Sequence, residues 1–172
     1  MRKPLAVLGI AASALAVGIL AASPAAAVTN TSEFDVVLPG SKPDTRFWVD
    51  NEAKVVAGRI TDYSVTYWEN LEDVVDTSKR FTSFKITSRL ETRLSQDGAD
   101  VVEATKTCDL TSLVNANAEY FLREAANTCS APYTTYDGEV WWSSDSTVVY
   151  DIEGDSKGAI TVETLGSPLI HG

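Results

Sequence analysis

Polar and apolar residues alternate along most of the chain, with the period of two that is typical of a β-strand. The strictest alternation lies in RITDYSVTYWEN, residues 59–70, where single polar residues separate large apolar ones: Tyr63, Val65 and Tyr67 alternate with Asp62, Ser64 and Thr66. FKITSRLETRL, residues 84–94, repeats the pattern with four apolar residues on one face: Phe84, Ile86, Leu90 and Leu94. Each segment predicts a strand with one buried face and one face in water.

A turn signal and a short aromatic run predict two neighbouring strands. Asp97-Gly98 is a strong hairpin signal, so residues 101–108 (VVEATKTC) are expected to return as the partner of residues 84–94. Residues 46–50 (RFWVD) predict a further short strand before the first alternating segment.

The two ends of the mature chain show weaker patterns. Residues 141–143, 147–152 and 159–164 predict three closing strands. Residues 28–45 are polar and contain two prolines, and we interpret them as a loose N-terminal segment with a short strand at residues 34–38.

The chain has two cysteines, and a secreted chain with two cysteines usually oxidises them. We therefore predict a Cys108–Cys129 disulfide, which would close a loop of about 20 residues and contribute roughly 3 kcal/mol in the chain-entropy model. The bond requires the two Cα atoms to approach within about 7 Å, whereas one continuous helix between them would be about 27 Å long. The segment between the cysteines must therefore fold back.

One amphipathic helix is predicted in that segment. Its apolar stripe has the spacing i, i+3, i+4, i+7 and consists of Ala118, Phe121, Leu122 and Ala125. We predict a helix over residues 118–126, packed near the strand FKITSRL, with residues 109–116 folded back as a loop or short turn. The predicted fold is mainly β, with α+β at the margin: an antiparallel β-sandwich or a partly open barrel with one short amphipathic helix between the two cysteines.

The first 27 residues have the layout of a secretory signal peptide. Two basic residues are followed by an apolar run over residues 5–20, and Pro24 with the alanines at 25–27 forms a cleavage site. Cleavage there would release residues 28–172 as a single domain, secreted or loosely associated with the cell wall, without stable insertion into a membrane. The alternative is a retained anchor, because the apolar run has nearly membrane-spanning length.

The charge of the chain narrows the possible partners. The formal net charge is −10, from 24 acidic and 14 basic residues. A surface of this charge repels phosphate backbones and anionic lipid headgroups. We therefore expect no nucleic-acid partner.

The chain lacks the residues that most catalytic mechanisms require. The one histidine, His171, is the penultimate residue, and a chain end rarely positions a base. Both cysteines are expected to be oxidised, and the motifs G-x-S-x-G, P-loop and G-x-G-x-x-G are absent. Carboxylate chemistry of the glycoside hydrolase type remains as an alternative, with Glu69, Glu72 and Asp73 as the densest cluster. A solvated acidic loop explains that cluster as well, so no catalytic residue is assigned and an enzyme is not favoured.

Residues 148–163 (VVYDIEGDSKGAITVE) have the alternating acids of a calcium loop. The acids occupy positions 1, 3 and 5 of such a loop: Asp151, Glu153 and Asp155. Ser156 stands where the loop needs glycine, and Val162 where it needs glutamate. A β-hairpin turning at residues 153–158 explains the same residues without a metal. We favour the hairpin and expect no cofactor, with calcium as the open alternative.

A cluster of aromatic residues gives the remaining functional indication. YTTYDGEVWWSSD, residues 133–145, holds four of them: Tyr133, Tyr136, Trp141 and Trp142. Exposed aromatic residues in a polar setting stack on sugars or anchor protein partners. The sequence thus favours a secreted, non-enzymatic binding or interaction module for an extracellular protein or carbohydrate. The alternative is a small extracellular hydrolase that uses carboxylates.

Overall fold

The computed structural model describes residues 28–72 and 78–172. These residues form two antiparallel sheets packed face to face, with no closed barrel. The mainly β fold is therefore confirmed, and the sandwich is the form it takes. The predicted signal peptide lies outside the described residues.

The described part of the chain contains ten strands and one α-helix. In chain order they are β1 (Val28–Val36), β2 (Thr45–Val56), β3 (Arg59–Asn70), β4 (Phe81–Arg93), β5 (Val101–Asp109), α1 (Thr111–Ala116), β6 (Glu119–Tyr120), β7 (Thr128–Cys129), β8 (Thr134–Thr135), β9 (Trp141–Ile152) and β10 (Ile160–Glu163). No helix among these residues is both long and apolar enough to cross a membrane.

The first sheet has the order β1-β2-β3, and β6, β7 and β8 pair in turn with the remaining edge of β3. The second sheet has the order β10-β9-β4-β5. The predicted pairing of β4 with β5 and the predicted hairpin between β9 and β10 are both confirmed.

Several strand predictions differ from the structure in their extent. The short strand predicted at residues 46–50 is the 12-residue strand β2. The N-terminal strand begins at Val28 rather than at residue 34, and it pairs with β2 along its whole length. Two of the predicted closing strands are one continuous strand, β9, because Ser144 and Ser146 point into a buried polar layer instead of breaking the strand. Leu94 was predicted to be buried and is 90% exposed, because β4 ends at Arg93.

The helix predicted over residues 118–126 is wrong. Residues 119–120 and 128–129 instead pair with β3, because an unpaired strand edge leaves backbone N–H and C=O groups without partners. The helix that does form is α1, in the segment predicted as a loop. It packs on β4, where the Asn115 side chain exchanges hydrogen bonds of 2.9 Å with the backbone N–H and C=O of Phe81.

A buried arginine satisfies the C-terminal end of α1. Arg80 is 3% exposed, and its guanidinium donates to the carbonyl of Val114 and, at 2.6 Å, to that of Asn117. The last carbonyls of a helix have no partner within the helix. A cation at this position provides both a donor and a favourable charge.

Two apolar clusters fill the space between the sheets. The larger one is rich in stacked aromatic rings, and its Phe47 and Phe84 ring centres lie 4.7 Å apart. The smaller one, at the other end of the sandwich, includes Ile60, Leu90 and Trp142. A layer of buried polar side chains separates the two clusters.

The predicted Cys108–Cys129 disulfide is confirmed, with the two Cα atoms 5.7 Å apart. It joins β5 of the second sheet to β7 of the first. The bond therefore ties the two layers together at the edge where β6, β7 and β8 complete the first sheet.

Candidate binding surface on the first sheet

Strand β3 carries polar residues inside the sandwich and aromatic residues outside it. The three polar residues of its alternation are fully buried between the sheets: Asp62, Ser64 and Thr66. Tyr63 and Tyr67 lie on the outer face and are partly exposed. The inner face is still anchored in both apolar clusters, through Ile60 at one end and Trp68 at the other. Aromatic side chains that normally fill a core thus lie on a solvent-facing sheet.

The buried polar residues form a chain of hydrogen bonds across the sandwich. Asp62 contacts the hydroxyl of Ser88, whose Oγ lies 2.7 Å from Ser64 Oγ. Ser64 Oγ in turn lies 2.7 Å from Asn51 Oδ1. The Nδ2 of Asn51 donates to the carbonyl of Leu165 at 2.9 Å, which fixes Oδ1 as an acceptor.

The number of protons in this chain depends on Asp62, whose carboxylate accepts the hydroxyl of Ser88. The hydroxyls of Ser64 and Ser88 supply one proton each, and Asn51 Oδ1 supplies none. A protonated Asp62 would supply a third, with which each of the three contacts could carry a proton. Burial raises the pKa of Asp62, and this effect outweighs the lowering by its hydrogen bonds and by Lys106.

The outer face of the first sheet carries a shallow cleft of about 320 Å³, which we call the aromatic cleft. Trp48 and Tyr67 line it, and they are direct cross-strand neighbours in β2 and β3. Phe121 completes the aromatic lining, with its ring centre 6.0 Å from that of Trp48. Thr31 and Asp50 supply the polar lining, and the Thr31 hydroxyl donates to Asp50 Oδ1 at 2.6 Å.

Phe121 reaches the cleft because the chain leaves the edge of β3 between β6 and β7. We call the intervening residues 121–127 the arch. Asn127, which is fully buried, holds the two ends of the arch together. Its Nδ2 donates to the carbonyls of Thr66 and Leu122, both at 2.9 Å, and its Oδ1 accepts the N–H of Glu124 at 2.8 Å.

Asn127→Ala is expected to lower the free energy of unfolding by about 1–3 kcal/mol, because it leaves buried backbone groups without partners. Chemical denaturation of the purified protein measures the change. Leu122→Ala, at a 68% exposed position of the same arch, is the control and should stay within about 0.5 kcal/mol of wild type. An unchanged Asn127→Ala midpoint would show that other contacts hold the arch.

A second residue of the arch crosses the middle of the outer face. Arg123 Nη1 lies 2.6 Å from Glu52 Oε2, and its guanidinium lies 5.0 Å from the centre of the Tyr63 ring. Tyr63 also lines a second cleft of about 510 Å³, together with Tyr133 and Arg59. The Arg59 guanidinium lies 4.4 Å from the Tyr133 ring centre. Aromatic residues therefore extend along the face beyond the first cleft.

The carboxylates around the aromatic cleft differ in their neighbouring charges. Arg46 Nε lies 3.2 Å from Glu33 and 2.8 Å from Asp35, so both of these acids face a cation. For Asp50, no Lys, Arg or His nitrogen lies within 4.0 Å in the part of the chain that the structure describes. Burial raises the pKa of Tyr67, and the negative charge of Asp50 raises it further.

The four aromatic residues singled out in the sequence do not share one surface. Trp142 is 4% exposed and packs in the smaller cluster, with the Tyr136 ring centre 6.5 Å away. Trp141 belongs to the second sheet and stacks on His171 at 4.4 Å. Tyr133 is 59% exposed and lines the second cleft. A binding role for these residues stays a prediction, and Tyr133 is the one of the four that shares a cleft with Tyr63.

The candidate calcium ligands lie at the turn between β9 and β10. Glu153 is paired with Lys79 at 3.0 Å, and the hydrogen bond from Lys79 lowers the pKa of its carboxyl. Asp155 Oδ1 accepts the N–H of Lys157 at 3.0 Å, which is a contact within the turn. Asp151 precedes the turn, at the end of β9. Among the described residues, no group of three or more acidic, cysteine or histidine side chains is placed to hold a metal ion.

One pair of acids, the buried Glu91 and the partly exposed Asp145, is relevant to hydrolytic chemistry. On β4 and β9, Arg89 contacts Glu91 at 2.9 Å and Asp145 at 3.3 Å. Burial raises the pKa of both carboxyls. Of the acidic cluster singled out in the sequence, Glu72 accepts a backbone N–H at 2.7 Å, and Asp73 lies outside the described residues.

Trp48, Tyr67 and Phe121 are candidate binding residues that the sequence interpretation missed. Phe121 was assigned to a helical stripe, and the other two belonged to strands whose apolar face is normally buried. The sequence held one indication of this arrangement, in the small polar residues of the alternating strands β3 and β4. Ser64 and Ser88 fit against each other inside a sandwich, which leaves the aromatic side of β3 facing outward.

Comparison of the chain with protein-family models, with curated proteins and with solved structures found no match.

Proposed function

We propose that this chain is a secreted, non-enzymatic binding module whose ligand is an extracellular protein or a carbohydrate held at the aromatic cleft. The observation that carries the proposal is the convergence of Trp48, Tyr67 and Phe121 on one solvent-facing cleft. Aromatic side chains offer a large contact area with few rotatable bonds, and they dominate binding energies where they cluster.

The support beneath the cleft favours binding without rearrangement. Trp48 and Tyr67 lie within two 12-residue strands that pair along their whole length. Phe121 is positioned by the arch, whose ends are fixed by the buried Asn127. Sites built on such regular elements hold their side chains more firmly than sites on free loops.

The disulfide supports the proposed compartment. Cys108 and Cys129 are bonded to each other, and disulfides persist mainly in oxidising compartments outside the cytosol. This agrees with the signal peptide predicted in residues 1–27. Secretion remains part of the proposal.

A small hydrolase is the second candidate, and the Glu91–Asp145 pair favours it, because paired carboxyls with raised pKa values occur in such enzymes. Arg89, however, contacts both acids. An arginine that contacts one buried and one partly exposed acid is sufficient to explain their arrangement as a structural ion pair. We therefore favour the binding module.

Trp48→Ala is expected to weaken ligand capture at least about tenfold, as the loss of a central aromatic anchor does at other interfaces. Wild type and variant would be immobilised and exposed to the culture medium and the wall fraction of the producing cell, and bound material would be quantified. Trp141→Ala, which removes the same side chain from the second sheet, is the matched control. Equal capture by wild type and Trp48→Ala would contradict the proposed site.

A further inference from the structure

We propose that the aromatic cleft binds a cationic side chain, that of a lysine or an arginine, presented by a basic extracellular protein. This inference rests on the proposed binding function and names its partner. Three rings line the cleft together with the carboxylate of Asp50. The faces of aromatic rings carry negative electrostatic potential, which attracts a cation placed above them.

The distribution of charge on this face singles out Asp50. Arg46 faces Glu33 and Asp35, and Arg123 is paired with Glu52. No cation of the described chain reaches Asp50, whose one hydrogen-bond donor there is the neutral hydroxyl of Thr31. The cleft therefore combines three aromatic rings with one negative charge that lacks a counter-ion.

The shape of the cleft favours a side chain on a larger partner. Sites for free small molecules enclose most of the ligand surface, whereas this cleft of about 320 Å³ is shallow and open on a sheet face. The net charge of −10 attracts a basic protein over long distances and orients its approach. A neutral sugar could stack on the same rings, but it would leave Asp50 without a counter-charge.

The test uses a capped peptide of alternating lysine and glycine, and the same peptide with norleucine in place of lysine. Binding would be followed by titration calorimetry and by the NMR signal of the Trp48 indole N–H, in about 50 mM and about 500 mM NaCl. We expect the lysine peptide to bind and to shift the Trp48 signal. We expect the norleucine peptide to bind at least about tenfold more weakly, and salt to weaken the lysine complex.

Asp50→Asn is the decisive variant, because asparagine can still accept the Thr31 hydrogen bond while the charge is removed. We expect it to weaken the lysine peptide about five- to tenfold. Asp97→Asn makes the same change in net charge at an exposed turn of the second sheet, and it should leave the affinity unchanged. Equal weakening by both variants would overturn the inference, because it would show attraction to the overall charge only.

The other outcomes separate this inference from the proposed function. Binding of a neutral oligosaccharide that is lost in Trp48→Ala and kept in Asp50→Asn would overturn the cationic ligand and support the binding module. If Trp48→Ala captured as much native material as wild type, the result would overturn both the proposed site and this inference.

Discussion

The free energy of unfolding is expected to decrease as the pH rises from about 4 to about 8, and Asp62→Asn is expected to reduce this decrease. Burial raises the folded-state pKa of Asp62 above its ordinary value, which is about 3.9 in an unfolded chain. Such a group stabilises the fold fully below the unfolded pKa, and this stabilisation is lost as the pH rises through the folded pKa. One group contributes a slope of at most about 1.4 kcal/mol per pH unit.

Asparagine at position 62 reproduces the hydrogen bonds of the protonated acid. Its Nδ2 can donate to Ser88, and its Oδ1 can accept the N–H of Ala131, which lies 2.7 Å from Asp62 Oδ1. Asp62→Asn should therefore match wild type near pH 4 and exceed it in stability near pH 8. Asp62→Ala leaves the partner groups of Ser88 and Ala131 unsatisfied, at a cost of about 1–3 kcal/mol for each.

Urea denaturation at a series of pH values measures these differences. Glu91 and Asp145 also have pKa values raised by burial, so they add a slope of the same sign to every variant, whereas Asp35, Asp109 and Glu153, whose pKa values are lowered, add a slope of the opposite sign at the acid end of the range. The difference between wild type and Asp62→Asn isolates Asp62, and Asp97→Asn controls for the change in net charge. The positive charge of Lys106 acts on Asp62 and lowers the pKa. An Asp62→Asn variant less stable than wild type at pH 8 would mean that the folded protein holds Asp62 ionised.

The alternation of polar and apolar residues predicted the strands well. It reports an extended backbone with side chains on two faces, and this holds whichever face is buried. The segment RITDYSVTYWEN coincides with β3, from Arg59 to Asn70. Asp97-Gly98 marked the turn between β4 and β5 as expected. Both features depend only on residues that are close together in the sequence, and a periodic pattern carries information of that kind.

The face of β3 that is buried depends on residues far away in the chain. Ser64 is tolerated inside the sandwich because Ser88 and Asn51 meet it there at 2.7 Å each. A buried polar residue is costly unless such partners are present. A single strand cannot show these partners, because they come from β2 and β4.

The helix predicted over residues 118–126 was wrong for a related reason. Phe121 and Leu122 have helical spacing with Ala118 and Ala125, but the edge of β3 offers backbone partners to the residues on either side of the arch. Helix propensity is weak compared with such tertiary pairing. The aromatic cleft could not be predicted for the same reason, since it requires both the outward face of β3 and the arch.

Replacing both cysteines with alanine is expected to lower the free energy of unfolding by about 3 kcal/mol and to weaken binding at the aromatic cleft. The chain-entropy model gives this value for a loop of the observed separation of 21 residues. The arch lies inside that loop, close to Cys129, so removal of the bond loosens the segment that positions Phe121. Denaturation would measure the stability, and hydrogen exchange would measure the opening of the arch.

The double variant should show faster exchange at the arch amides than at those in the centres of β2 and β3, because the long strand pairs keep their own hydrogen bonds. Asn127→Ala provides the comparison, since it loosens the arch while the disulfide stays intact. If arch opening reduces affinity, both variants should weaken the lysine peptide in proportion to the increase in arch exchange. Faster exchange without any loss of affinity would show that Phe121 contributes little and that Trp48 and Tyr67 hold the ligand. Labelling of both thiols in the native secreted protein would contradict the disulfide itself.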